Sequence, residues 1–258
     1  MRLGYSMTMK RFAFLAARPS TAADIREDEW EAVKRFGNLS DDDMVYFSLE
    51  DRPRIDPTEY AGIFVSGSQY GFVDEHDIKT PEQIATEEVL FAVNDIVLEH
   101  DIPYLGLCYG HQSLAVSLNE ELTGDYFEEL TTVQIEVTEE GKKDPIFGRL
   151  PDSFPAILGH AESIGVVPRD TVVLASSPNC PVQAIRHRNN VYGVQFHPEI
   201  DVESLEIRLD YYNGSKYFAP GELDVVRART SGFDYSSATD IIRGFVDTYR
   251  DRSTEGAS

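Results

Sequence analysis

The chain of 258 residues carries 23 lysines and arginines against 45 aspartates and glutamates, a formal charge of −22. So acidic and self-repelling a surface argues against nucleic acid or an anionic membrane as partner, and no apolar run approaches the roughly 18 to 20 residues that a spanning helix needs. The length suits one large α/β domain with an ample core, or such a domain with an appendage, and no second catalytic domain is expected.

Residues 1–9 lack the ordered charged, apolar and small-residue regions of a secretory leader. They read as a flexible N-terminal segment with Met7 and Met9 as alternative starts, and a cytoplasmic location is expected. Phe12 to Ala17 reads as the first strand, left through Arg18-Pro19-Ser20. A helix is expected from Ala22 to Phe36, capped by Thr21 or Asp24 and stopped at Gly37. Met44 to Phe47 and Tyr60 to Ser66 are the next strands. This rhythm of strand, helix and strand predicts an open, twisted, mostly parallel sheet flanked by helices, in the flavodoxin-like manner.

The third strand runs into Gly67-Ser68-Gln69-Tyr70-Gly71, and the acidic, aromatic stretch Gly71 to Asp77 reads either as a lid or as a solvated loop. Pro81 opens a long amphipathic helix to about His100, with Ile84, Val89, Leu90, Val93, Ile96 and Val97 as its apolar stripe. Ile102 to Leu107 is a central strand. It ends in Gly106-Leu107-Cys108-Tyr109-Gly110-His111-Gln112, the spacing of a nucleophile elbow, with Gly110 opening a helix. Glycines on both sides of Cys108 relieve the crowding of a strained backbone. The adjoining helix N-terminus favours negative charge on sulfur. A buried structural cysteine is the plain alternative.

Thr131 to Val137 alternates like a strand with one wet face. Phe154 to His160, Val172 to Ala175 and Val182 to Arg186 follow as strands. The last forms a small antiparallel hairpin with Val191 to Phe196, turned at Asn189-Asn190, which tolerate positive φ. The hairpin strand ends in His197-Pro198-Glu199, 89 residues beyond Cys108 (197 − 108). Pro198 keeps His197 extended, and a nucleophilic cysteine needs a base whose second ring nitrogen has an acceptor. His187 is expected to be exposed, His111 to pack or cap its helix, and Cys180 to be a small buried filler rather than a disulfide partner of Cys108. No metal-ligand spacing, phosphate-binding glycine loop or dinucleotide fingerprint is present, so neither metal nor cofactor is expected.

Gly106 to Gln112 together with Gly193 to Glu199 resembles the cysteine and histidine motifs of the class I glutamine amidotransferases, and within that family the free-standing proteins related to the amidotransferase domain of GMP synthase. The resemblance covers residues 10–205 and implies a catalytic set of Cys108, His197 and Glu199. It implies an oxyanion hole from the backbone N–H of Gly67 (or Ser68) and Tyr109, although Ser66-Gly67-Ser68 stands where relatives most often carry Gly-Gly-Pro. It also implies substrate contacts from Gln112, Ser68 and the segment His160-Ala161-Glu162, with Glu162 available to a substrate α-ammonium. The implied reaction releases glutamate and ammonia from glutamine for a separate synthetase subunit. The same residues would serve a γ-glutamyl peptidase acting on γ-glutamyl peptides or amides, and a non-catalytic binding protein retaining the fold is a third reading. Residues 206–258 are expected to form a C-terminal helical extension packed on the same domain. Helices over Leu205 to Tyr212 and Thr239 to Val246 would cover the sheet edge, shape the pocket or form a homodimer contact, with the last residues frayed.

Overall fold

Phe12–Ala16 (β1) is buried at every residue, as a strand covered on both faces must be. It pairs in parallel with Met44–Ser48 (β2) on one side and Ile63–Val65 (β3) on the other. Tyr104–Leu107 (β4) and Val191–Val194 (β11) continue the parallel set. These strands belong to a computed structural model that describes residues 9–73, 78–212 and 221–250.

Beyond β11 the sheet turns antiparallel through Ala184–His187 (β10), Thr171–Ser176 (β9), Glu128–Val137 (β6) and Ser153–His160 (β7). Among the described residues the sheet has nine strands in the order β2-β1-β3-β4-β11-β10-β9-β6-β7. The expected hairpin is β10 with β11, and it leads into a four-stranded antiparallel wing. Leu122–Thr123 (β5) and Ser163–Ile164 (β8) form a separate two-stranded pair.

The period-two alternation of β1 divides the core. Phe12, Phe14 and Ala16 join the cluster that also holds Ile241, Ile242, Phe245 and Tyr249. Ala13 and Leu15 join the cluster of Leu90, Val93, Val97, Leu114 and Ala115. Helices Ala23–Gly37 (α1) and Ser236–Tyr249 (α6) therefore cover one face, and Pro81–His100 (α2) and Tyr109–Ser117 (α3) the other. Val202–Tyr212 (α4) and Leu223–Thr230 (α5) pack with Ile25, Leu130, Ile157 and Ile200 in a third cluster. That cluster lies where the end of the parallel set meets the wing.

Several expectations change. Helix α1 is preceded by the 3-10 turn Ser20–Ala22 and has Ala22 at its N-cap with no side-chain cap, so neither Thr21 nor Asp24 caps it. Gly37 ends the helix, and Asn38 takes the left-handed conformation beyond it at φ 52°. The third strand is shorter than Tyr60 to Ser66, because a 3-10 turn over Pro57–Glu59, capped by Asp56, occupies the approach. In the β10 to β11 turn the positive φ falls on Arg188, at 48°, rather than on Asn189-Asn190. Both asparagines instead donate to Asp101, which bridges the turn to the end of α2. His187 is buried and bonds Thr171, because the strand ends one residue later than expected, at His187 instead of Arg186. The polar connection in the C-terminal region holds α5, whose short amphipathic pattern is easily missed. The expected flexible residues 1–8, part of the lid at 74–77 and the frayed end at 251–258 lie outside the described residues.

Candidate functional site

Strand β4 and helix α3 meet at Cys108, whose backbone stands at φ 49° and ψ −94°. A non-glycine residue in that region is strained and persists only where its surroundings over-determine it. The amide of Cys108 donates to Val194 O at 2.7 Å, and its carbonyl accepts from Gln112 N at 2.9 Å. The flanking glycines are required by contact. A Cβ on Gly106 would lie 2.4 Å from the Gly110 carbonyl carbon, and one on Gly110 would lie 2.9 Å from Val65 Cβ. Helix α3 thus crosses directly over β4 and β3, and the turn between them presents the sulfur at the C-terminal ends of the parallel strands.

His197 is held by its amide donating to Ile157 O at 2.8 Å on β7. Its Nδ1 lies 2.6 Å from Glu199 Oε1, and its ring interacts with Cys108. Burial opposes an imidazolium here, yet the Glu199 carboxylate and the Cys108 sulfur hold His197 up to about 10. Glu199 is fully buried. Burial pushes its carboxyl up, and the charges of His197 and Arg208 override this to hold it below its ordinary range. The pairing requires both members: removing either leaves a buried charge without compensation.

The cleft over Cys108 and His197 is about 30 Å³ and is lined in addition by Arg18, Ser68, Leu130, Ile200, Arg208 and Tyr212. A larger hollow of about 650 Å³ lies between α1 and α4, but it is an open acidic surface groove that includes neither Cys108 nor His197. Gly67 closes one wall, where a Cβ would meet His197 Cε1 at 3.0 Å and Arg18 Nη2 at 3.1 Å. Ser68 Oγ donates to Ala17 O at 3.0 Å and fixes the loop. The N–H groups of Gly67, Ser68 and Tyr109 make no hydrogen bond among the described residues. They are the open donors near the sulfur.

Gln112 Nε2 donates to Glu162 O at 2.7 Å and to Gln195 Oε1 at 3.3 Å, and Gln195 Nε2 in turn donates to Cys108 Sγ at 3.5 Å. Glu162 does not open onto the cleft. Its carboxylate accepts from the backbone of Phe72 and Val73 at 2.9 and 3.3 Å, and so pins the loop beyond Ser68. That loop is also stacked on Tyr109, with the Phe72 ring centroid 4.1 Å away.

His160 departs from its expected place. It is buried within the wing, with Nε2 on Glu128 at 2.9 Å and Nδ1 on Ser163 at 3.0 Å. With Cys180 these residues form a second Cys, His and Glu group whose ligand-type atoms lie within 4.8 Å of one another. None of the three lines the cleft. Both ring nitrogens of His160 are engaged by Glu128 and Ser163, and burial pushes the Cys180 thiol up.

Sequence reasoning missed Gln195, Arg18, Arg208 and Glu29. Arg18 donates from Nε and Nη2 to Glu29 Oε1 at 3.1 and 2.8 Å, and Arg208 lies 3.7 Å from Glu199. Gln195 sits inside the histidine motif and was within reach. The arginines carry no local signal, since one follows β1 and the other lies mid-helix in α4.

The model of the family described as glutamine amidotransferase class-I matches residues 44–208, more than half of the chain. One of the subunits of the glutamine-hydrolysing GMP synthase of Methanococcus maripaludis is 36% identical over 107 residues, which is 41% of this chain and 55% of that protein. The chain thus spans about half the length of the curated relatives it matches. Among solved structures, a glutamine amidotransferase from Thermotoga maritima superposes with a TM-score of 0.71 at 19% identity, over 95% of this chain and 100% of that one. One from Methylobacillus flagellatus gives 0.71 at 12% identity, over 97% and 99%. At those identities the structural likeness speaks for the fold alone. No helix among the described residues is long and apolar enough to cross a membrane.

Proposed function

Since the chain belongs to the class I glutamine amidotransferase family, we propose that it hydrolyses the γ-amide of glutamine through a γ-glutamyl thioester on Cys108 and releases glutamate and ammonia. The observation that carries this reading is the strained elbow at Cys108, facing a His197 that is itself bonded to Glu199.

In the proposed reaction the Cys108 sulfur attacks the amide carbon, and the carbonyl oxygen moves toward the N–H groups of Tyr109 and of Gly67 or Ser68. These donors are pre-set by α3 and by the Ser68 to Ala17 bond, so they need little reorganisation as charge develops. His197 gives its proton to the departing nitrogen. Glu199 fixes the imidazole orientation and stabilises its charged form. Water then enters, His197 takes its proton, and the thioester is cleaved to free glutamate and restore the sulfur.

Gln112 and Ser68 border the substrate, and Glu162 acts on it through the loop it holds. The ammonia passes to a separate synthetase subunit, as the subunit naming of the Methanococcus relative suggests.

Glutamate release by the purified chain, from glutamine and from a set of γ-glutamyl peptides, with Cys108→Ala as control, tests the proposal. Cys108-dependent release from glutamine is expected. Faster Cys108-dependent turnover of the peptides would replace this reading with that of a γ-glutamyl peptidase.

A further inference from the structure

We propose that Arg208 is a positioning residue for the reaction: its buried guanidinium, delivered by α4, keeps the Glu199 carboxylate ionised and aligned on His197. The inference deepens the proposed function and rests on the roles given there to Cys108, His197 and Glu199.

Glu199 is a wholly buried carboxylate with one strong partner. Oε1 faces His197, while Oε2 has no donor among the described residues. An ionised carboxylate so placed is costly unless a second cation shares its field. Arg208, only 3% exposed, supplies it. Its Nη1 is anchored to Asp28 Oδ2 at 2.6 Å and to Ser204 O at 3.0 Å. That anchor leaves Nη2 between Glu199 Oε1 at 3.7 Å and Glu29 Oε1 at 3.6 Å. Nε and Nη2 make no hydrogen bond among the described residues, so the coupling to Glu199 is through charge rather than through a hydrogen bond.

The surrounding charges leave that cation available to Glu199. From α1, Asp28 takes Nη1, and Glu29 is already bonded twice by Arg18 at the exit of β1. From the elbow side the facing groups are His197 and Cys108, and from α4 itself Tyr212, which accepts from Arg18. Arg208 is thus the cation on α4 directed at Glu199, nine residues after it in the chain (208 − 199). A guanidinium suits the place because its rigid fork satisfies the anchor and the carboxylate together, which a lysine does less well.

The sign follows from the charge. With Arg208 neutralised, Glu199 takes up a proton at higher pH, and His197 loses its acceptor and its counter-charge at that same pH. The acid limb of Cys108 reactivity then moves upward. The test is the rate of Cys108 alkylation by iodoacetamide, followed by mass spectrometry to separate it from Cys180, between about pH 4 and 9. Arg208→Met and the smaller change Arg208→Gln are expected to raise the acid midpoint by about one pH unit, the size of effect that a cation at this distance exerts on a carboxylate. Arg208→Lys restores most of the shift. Asp28→Asn loosens the same tie between α1 and α4 but keeps the cation, and it leaves the midpoint in place. A purely structural role predicts loss of rate at every pH with an unmoved midpoint, or an equal shift in Asp28→Asn; either result overturns the proposal. If Arg208→Met does not fold, Arg208→Gln and Arg208→Lys decide. Alkylation needs no substrate, so a failure to hydrolyse glutamine would sink the proposed function while leaving this measurement readable.

Discussion

Gly106→Ala places a methyl group where the elbow leaves no room. A Cβ at 106 would lie 2.4 Å from the Gly110 carbonyl carbon, 2.5 Å from its oxygen and 2.8 Å from the His111 amide nitrogen. Ordinary contact between carbon atoms is about 3.5 to 4.0 Å. All three neighbours are backbone, so no rotamer change relieves the clash, and the first turn of α3 must retreat by about 1 Å. Overpacking of this kind costs about 1 to 3 kcal/mol. At roughly 2 to 4 °C per kcal/mol for a domain of this size, the melting temperature falls by about 2 to 12 °C. The same retreat carries Cys108 away from His197, and a misplacement of about 1 Å costs on the order of 100-fold in rate. Gly141→Ala is the comparison. Its Cβ would lie 2.1 Å from Leu174 O, so it is destabilised comparably, but it lies at the turn after β6 and leaves kcat/KM of the folded protein unchanged. Thermal unfolding and glutamine turnover measured on both variants separate the effects. Full activity in Gly106→Ala, or an equal loss of turnover in Gly141→Ala, would refute this account of the elbow glycines.

Burial and the neighbouring His160 lower His111 from its ordinary 6.5 to about 3, so between these values the unfolded chain binds a proton that the folded one does not. Stability therefore falls as pH drops below 6.5 and is unaffected by His111 above it. The loss reaches about 2 kcal/mol at pH 5, and urea titrations across pH should show a slope that His111→Gln removes. With 45 acidic against 23 basic residues, repulsion in the folded state is screened by salt. Raising potassium chloride from about 0.1 to 1 M is expected to lift the melting temperature by at least about 5 °C, a gain of roughly 2 kcal/mol, and a flat response would show that the charge is already balanced locally. Glu162→Ala leaves the N–H groups of Phe72 and Val73 without their acceptor. Losing a charged hydrogen-bond partner costs about 1.5 to 3 kcal/mol, so KM for glutamine rises about tenfold or more with kcat little changed; an equal drop in kcat would place Glu162 nearer the reaction than the structure does.

Much of the scaffold was legible because it is written in local pattern. A short continuous apolar run marked β1, and the structure divides its odd and even residues between two cores. Glycines around Cys108 marked the elbow, and Pro198 marked the extended residue before it. These signals act over a few residues, through steric limits on φ and ψ and through burial, so they need no knowledge of the fold. Turn chemistry was less secure. Asn189-Asn190 looked like the positive-φ pair, but bonding to Asp101 across the fold moved that strain to Arg188.

What the sequence determined by itself is therefore the order of the strands of the main sheet and of the helices that flank its parallel part, the elbow with its cysteine, and the histidine and glutamate that close the second motif. Only the tertiary structure decided the company these residues keep. It turned His160 inward to Glu128, used the Glu162 carboxylate to hold a loop, and brought Arg18, Glu29 and Arg208 from three distant segments around Glu199. Charge interactions act through space and leave no periodic trace along the chain, so a buried arginine next to a site is invisible until the helix that carries it has been packed.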